Sequence, residues 1–168
     1  MFVKTFASAV HGVDARTITV EVHVGSSATV QKNFYHLVGL PDSAVKEGFQ
    51  RIEAAVKNIG FRMMRKKTTV NLAPADLRKE GSAYDLPIAL AYLAASGQME
   101  PGLLSEYLIM GELALDGNLR PIRGALPIAI QARKEKFKGF ILPVENAREA
   151  AIVNDLPDDA ELPVVEKI

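Results

Sequence analysis

The chain has 168 residues, and its 20 lysines and arginines balance its 20 aspartates and glutamates, so no overall field draws it to nucleic acid or anionic lipid. It has no cysteine, which excludes a disulfide scaffold and thiolate chemistry and fits a reducing cytoplasm. The length predicts one domain, 1–168, with a proper core; neither a signal-peptide apolar core nor a membrane-length apolar run is present, so a soluble cytoplasmic protein that engages no membrane is expected.

Residues 2–10 read as a first strand, ending at His11-Gly12. Ile18, Val20, Val22 and Val24 then alternate with Thr17, Thr19, Glu21 and His23, the period of a half-buried strand. After Gly25-Ser26-Ser27, Phe34 to Val38 resumes strand character, which predicts a hairpin or meander. Gly39-Leu40-Pro41-Asp42-Ser43 breaks the run with helix-start chemistry. Val45, Phe49, Ile52, Val56 and Ile59 follow at spacings of three and four, an amphipathic helix stopped by Gly60. Arg62 to Lys67 (RMMRKK) is a basic connection into a strand over 68–72.

The segment from Lys79 to Gly97, KEGSAYDLPIALAYLAASG, organises the rest. A polar turn at Gly81 and Ser82 leads into a helix over 86–95 that is apolar on every side, so it is expected to be buried against several elements. Asp85 is the expected N-cap. Pro87 has no N–H, so the carboxylate is expected to bond mainly the N–H of Ile88. Gly97 ends the helix.

Tyr107 to Met110 reads as a short buried strand, and Asp116-Gly117 between apolar residues signals a hairpin. A helix follows Gly124, over about 126–136, then a strand over 140–142 and a helical stretch over 146–153. An acidic tail begins at Pro157, and Val164-Val165 is a candidate last strand. From Glu145 onward seven acids face two bases, which reads as a solvated end of the domain rather than a site for a basic partner. The mixed order of elements predicts an α+β fold, a mixed α/β sandwich with helices packed on a mixed sheet.

Chemistry is sparse in the motifs. G-x-x-x-x-G-K-[ST] is absent, and no G-x-G-x-x-G follows a strand. His11, His23 and His36 lack metal-ligand spacing, although His23 and His36 could meet across a hairpin; surface histidines are the simpler reading, and no metal is expected. Asp76, Glu80, Asp85 and Glu112 lie near turns, where capping and ion pairing explain them as well as a paired-carboxylate site would. Arg62, Arg65, Lys66 and Lys67 form the densest basic run, with Arg78 and Lys79 as possible neighbours. They are the candidate nucleic-acid contacts, with a plain solvated loop as the alternative.

Two long patterns carry more information: VGLPDSAVKEGFQRIEAAVKNIGF over 38–61 and VNLAPADLRKEGSAYDLPIALAYLAASG over 70–97. With MGELALDGNLRPIRGALPIAIQAR over 110–133 and ILPVENAREAAIV over 141–153, they resemble the amino-terminal domain of the ComM/YifB family of magnesium-chelatase-like AAA+ ATPases. The resemblance covers nearly the whole chain. It implies the ribosomal protein S5 domain 2-like fold, shared with the proteolytic domain of Lon proteases and the carboxy-terminal domain of RadA. It also implies an AAA+ module downstream, absent from this chain, that uses ATP and Mg and assembles as a homo-hexamer. The associated function is DNA processing: branch migration of recombination intermediates in natural transformation, with single-stranded or branched DNA as the partner.

Lon proteases place a serine in a D-G-P-S-A-G turn before a buried helix and a lysine just after a G-E-x-x-L-x-G-x-x-x-P-I-x-G segment. That segment stands here as Gly111, Glu112, Leu115, Gly117, Pro121, Ile122 and Gly124. The resemblance puts Asp85 at the serine and Leu126 at the lysine, with Ser82 as a shifted alternative. Serine without an adjacent base is a weak nucleophile, so a non-catalytic accessory domain is expected. The alternatives are a residual hydrolase using Ser82 or Asp85, and a nucleic-acid-binding module acting through Arg62–Lys67.

Overall fold

The structure, a computed structural model, describes residues 1–28 and 34–155. Strand β1 (Phe2–His11) turns through Gly12-Val13 into the long β2 (Asp14–Ala28), and the two pair antiparallel from Phe2↔His23 to His11↔Asp14. Alternation decides which side is core: Ile18, Val20 and Val22 are fully buried, and the threonines between them lie on the other face. β3 (Tyr35–Val38) leads into α1 (Ser43–Asn58), and β4 (Lys66–Ala73) follows.

The expected pairing of β3 with β2 does not occur. β4 lies antiparallel along β2, and β3 lies parallel on β4's outer edge. Eight-residue β4 covers the β2 edge better than four-residue β3 could, and α1 is the crossover that parallel strands require. His23 and His36 therefore each register with Thr69, from opposite sides of β4, and do not meet.

α1 starts where Pro41-Asp42-Ser43 placed it, with Asp42 Oδ1 accepting from the Val45 N–H at 2.8 Å. Gly39 is required just before it. At φ 101° a Cβ there would sit 2.1 Å from the Leu72 carbonyl oxygen.

After β4 comes α2 (Asp85–Ala95), all of whose residues are buried. β5 (Tyr107–Ile109), the short hairpin β6 (Glu112–Leu113) and β7 (Leu119–Arg120), α3 (Ala125–Lys134), β8 (Gly139–Ile141) and α4 (Ala147–Ala151) complete the described chain. The main sheet runs β3-β4-β2-β1-β5-β8 among the described residues. One face packs on α1 and α2: Tyr35 stacks on Phe49 of α1 at 4.4 Å, and the Thr5 hydroxyl donates to the Pro87 carbonyl of α2 at 3.0 Å. The other face meets the end of α3, through Thr17 donating to Glu135, the helix's C-cap, at 2.6 Å, and Phe6 against Phe137 just beyond it at 5.4 Å.

The fold is α+β with a mixed sheet, as the element order predicts. The Asp116-Gly117 hairpin is present, with the Ala114 N–H donating to Asn118 at 2.9 Å. The acidic tail from Pro157 and the strand expected at Val164-Val165 lie outside the described residues. No helix among the described residues is long and apolar enough to cross a membrane.

Candidate functional site

A cleft of about 620 Å³ opens where the Gly81-Ser82 turn delivers the chain to α2, between the end of β1 and the loop before α3. Asp42 fixes this turn: while one carboxylate oxygen caps α1, the other accepts from the Gly81 N–H at 3.1 Å. The Ser82 hydroxyl donates to Glu112 Oε2, and Glu112 also has Arg120 3.8 Å away. Arg78 and Glu80 pair at 3.0 Å on the rim. Arg123, in the loop before α3, is exposed and also lines the cleft.

Asp85 is not the N-cap of α2. Tyr84 holds the cap position without a side-chain bond, Asp85 is the first helical residue, and the Ile88 N–H goes to the Tyr84 carbonyl at 3.2 Å. The Asp85 carboxylate, 1% exposed, turns instead towards α1. It accepts from Arg51 Nε at 2.6 Å and Nη2 at 3.0 Å, and from the Leu113 N–H of β6 at 3.3 Å. Three elements meet on one carboxylate.

A bidentate guanidinium with a third donor outcompetes a single capping bond. The approach depends on Gly48, where a Cβ would lie 2.5 Å from Asp85 Oδ1. Burial pushes the Asp85 carboxyl up to about 6, against the opposing pull of Arg51. The hydrogen bond to Asp85 in turn raises Arg51.

Neither Asp85 nor Leu126 lines the cleft. Leu126 is the second residue of α3, with its N–H donating to Glu149 Oε1 at 3.0 Å. Ser82 does line it. The four acids do not form a carboxylate pair: Asp85 is bound to Arg51, Glu80 to Arg78, Glu112 to Ser82, and Asp76 is exposed. No group of three or more metal-binding side chains occurs among the described residues.

The basic segment is held by its backbone. The Arg62 N–H and carbonyl both bond the Gln98 side-chain amide at 2.8 Å, and the Met64 N–H donates to the Tyr92 hydroxyl of α2 at 2.6 Å. Arg62, Arg65 and Lys67 are exposed and Lys66 is half-buried, at the first residue of β4. No carboxylate pairs with the four among the described residues.

Arg78 and Lys79 do not join them. β4 separates the two groups, and its eight residues at roughly 3.3 Å each carry the chain about 25 Å. Lys79 is also fully buried, with its ammonium donating to the Pro74 carbonyl, and burial lowers its pKa. Its backbone joins the head of α1 by bonding Leu40 and Asp42. It is a structural lysine, not a surface cation.

Arg51 and Arg123 escape a sequence reading. The only trace of the Arg51 pair is Gly48, one turn earlier in an otherwise well-formed helix.

A family model described as subunit ChlI of Mg-chelatase matches residues 20–146. The chain is 43% identical over 150 residues to the competence protein ComM of Haemophilus influenzae, covering 89% of this chain and 28% of that protein. It is 46% identical over 143 residues to the uncharacterized protein YifB of Escherichia coli, covering 85% of this chain and 27% of the relative. The chain thus spans a little over a quarter of the length of these relatives. With the family model matching most of its length and the motifs over 38–61, 70–97 and 110–133 inside or overlapping the matched region, the chain belongs to the ChlI-type Mg-chelatase family that also holds ComM and YifB.

Proposed function

We propose that this chain is a non-catalytic accessory domain of a ComM/YifB-type AAA+ ATPase, with the S5 domain 2-like architecture of Lon. ATP and Mg belong to an AAA+ module downstream, the complete protein works as a homo-hexameric ring in the cytoplasm, and its task is DNA processing; among its relatives ComM is named a competence protein. The observation that carries the reading is the commitment of Asp85. The acid at the head of α2 ties α1 and β6 together through Arg51 and Leu113 and leaves the cleft with Ser82 as its hydroxyl at that turn. A serine needs an adjacent base to attack an acyl group. The described residues that line the cleft include Arg78, Arg123 and His11 and no lysine; the Ser82 proton is directed not at His11 but at a carboxylate that Arg120 also approaches.

The Ser82–Glu112 bond is also the one feature that favours a residual hydrolase. One assay decides between the two. Purified chain is expected to leave an unfolded protein substrate intact with or without ATP. Turnover that survives repurification and falls in Ser82→Ala would overturn the accessory reading.

A further inference from the structure

One wall of the cleft is backbone. Met1 and Val24 exchange both their hydrogen bonds, at 2.5 and 2.9 Å, and the β1–β2 register runs unbroken from there to His11↔Asp14. In an antiparallel pair, alternate residues point their N–H and C=O to opposite sides. Ala9 and His11 therefore bond β2, while Phe6, Ser8 and Val10 face away from it. β5 takes that outer edge only at Phe6, opposite Leu108. Beyond it the chain bends off, and the Met110 and Gly111 N–H groups go to Ile141 and Ala83. The Ser8 N–H is left with the Met110 sulfur at 3.2 Å. The Ser8 carbonyl and both backbone groups of Val10 have no partner among the described residues. Ser8 to His11 line the cleft.

An open strand edge is a template for another strand, and proteins normally cover it. This one is short and recessed, which guards it against pairing between copies. The charges around it choose the occupant. Asp42 is engaged by the Val45 and Gly81 N–H groups, Glu80 by Arg78, and Glu112 by Ser82 and Arg120. Arg123 is exposed and has no carboxylate partner among the described residues. It lines the cleft together with Val10 and precedes Gly124, whose Cβ position is 3.2 Å from the Val10 side chain, so the residue lies beside the open edge.

We propose that an extended peptide carrying an acidic side chain adds to β1 as a strand along Ser8–His11, with its backbone on Ser8 and Val10 and its carboxylate on Arg123. The cleft is then a peptide-docking groove. It is separate from the basic segment at the other end of β4, so the proposal stands or falls independently of any DNA contact.

The test is fluorescence anisotropy of a labelled hexapeptide, acetyl-Val-Glu-Val-Asp-Val-Glu-amide, with the 168-residue chain. Comparison peptides carry lysine for each acid, or backbone N-methyl groups on alternate residues in either register. Saturable binding of the acidic peptide is expected, weakened about tenfold by Arg123→Glu and by the lysine exchange. One N-methyl register should bind and the other should not, because only one edge of the added strand faces β1. Val10→Pro removes an outward donor and no β1–β2 bond, so it should weaken binding while leaving the circular dichroism unchanged. Should that variant unfold, the two N-methyl registers decide alone. No saturable binding, equal binding of the lysine peptide, or equal binding of both N-methyl registers would overturn the proposal.

Discussion

Asp85 carries a different load from the one its neighbours in sequence suggest. An aspartate before Leu-Pro at a helix start reads as a cap, and losing a cap costs about 0.5–2 kcal/mol. Its partner is 34 residues away, so no local pattern reveals it. Breaking a buried pair strands a charge, and Arg51→Ala is expected to cost about 3 kcal/mol, the low end of that range because Arg51 is 21% exposed. Gly48→Ala forces a Cβ onto Asp85 Oδ1 and should cost about 1–3 kcal/mol. Urea denaturation of both variants checks these values; a change below about 0.5 kcal/mol in either would remove the strut from the account. The pH dependence has a definite sign. Burial raises Asp85 from 3.8 to about 6, so the folded chain holds that proton more tightly than the unfolded chain. The stability due to this group is full below about pH 4 and is lost as pH rises through about 6, by at most about 1.4 kcal/mol per unit. Asp85→Asn should remove that slope, and an unchanged slope would assign it to another group.

At the scale of elements, most of the chain was legible because its strands and helices are patterned locally. β2 announces itself by Ile18, Val20, Val22 and Val24, α1 by Asp42 and its apolar face, and α2 by its uniform apolarity. What stayed hidden is pairing, since the choice of β4 over β3 as β2's neighbour depends on edge length and crossover, not on composition. Burial of single polar groups is equally hidden: Lys79 reads as a surface base and is fully buried. The basic segment gives the element-scale prediction. Its four cations sit on a backbone pinned by Gln98 and Tyr92, so they are presented to a ligand without prior ordering of the loop. If they contact phosphates, the log–log salt slope should be roughly −3 on single strands and about −3.6 on duplex. Changing Arg62, Arg65, Lys66 and Lys67 to Ala should flatten it. Lys79→Met should leave the slope unchanged whatever it does to stability. No DNA binding at low salt, by the chain alone and within the proposed ring, would leave the segment as a solvated loop.

For the whole molecule the question is what drives assembly. A closed ring needs two different, complementary faces on each subunit. Among the described residues most exposed large apolar residues are distributed one or two to an element: Val13 at the first turn, Val38 and Leu40 at the β3 edge, Leu115 at the hairpin tip, Ile130 on α3; Met1 and Phe2 gather beside the Pro101–Leu104 loop that carries Leu103. Side chains scattered in this way are ordinary surface and do not amount to a patch that must be covered. The carboxylates around the cleft point the same way, because most of them are satisfied within the subunit and so are not free to pair with a neighbouring copy. The 168-residue chain is therefore expected to sediment as a monomer or a weakly associating species at micromolar concentration, and hexamers should require the ATPase module proposed to lie downstream. Sedimentation velocity over a concentration series separates the cases. A stable hexamer of the chain alone would mean that this domain closes the ring itself, through faces whose apolar residues look too dispersed for the task.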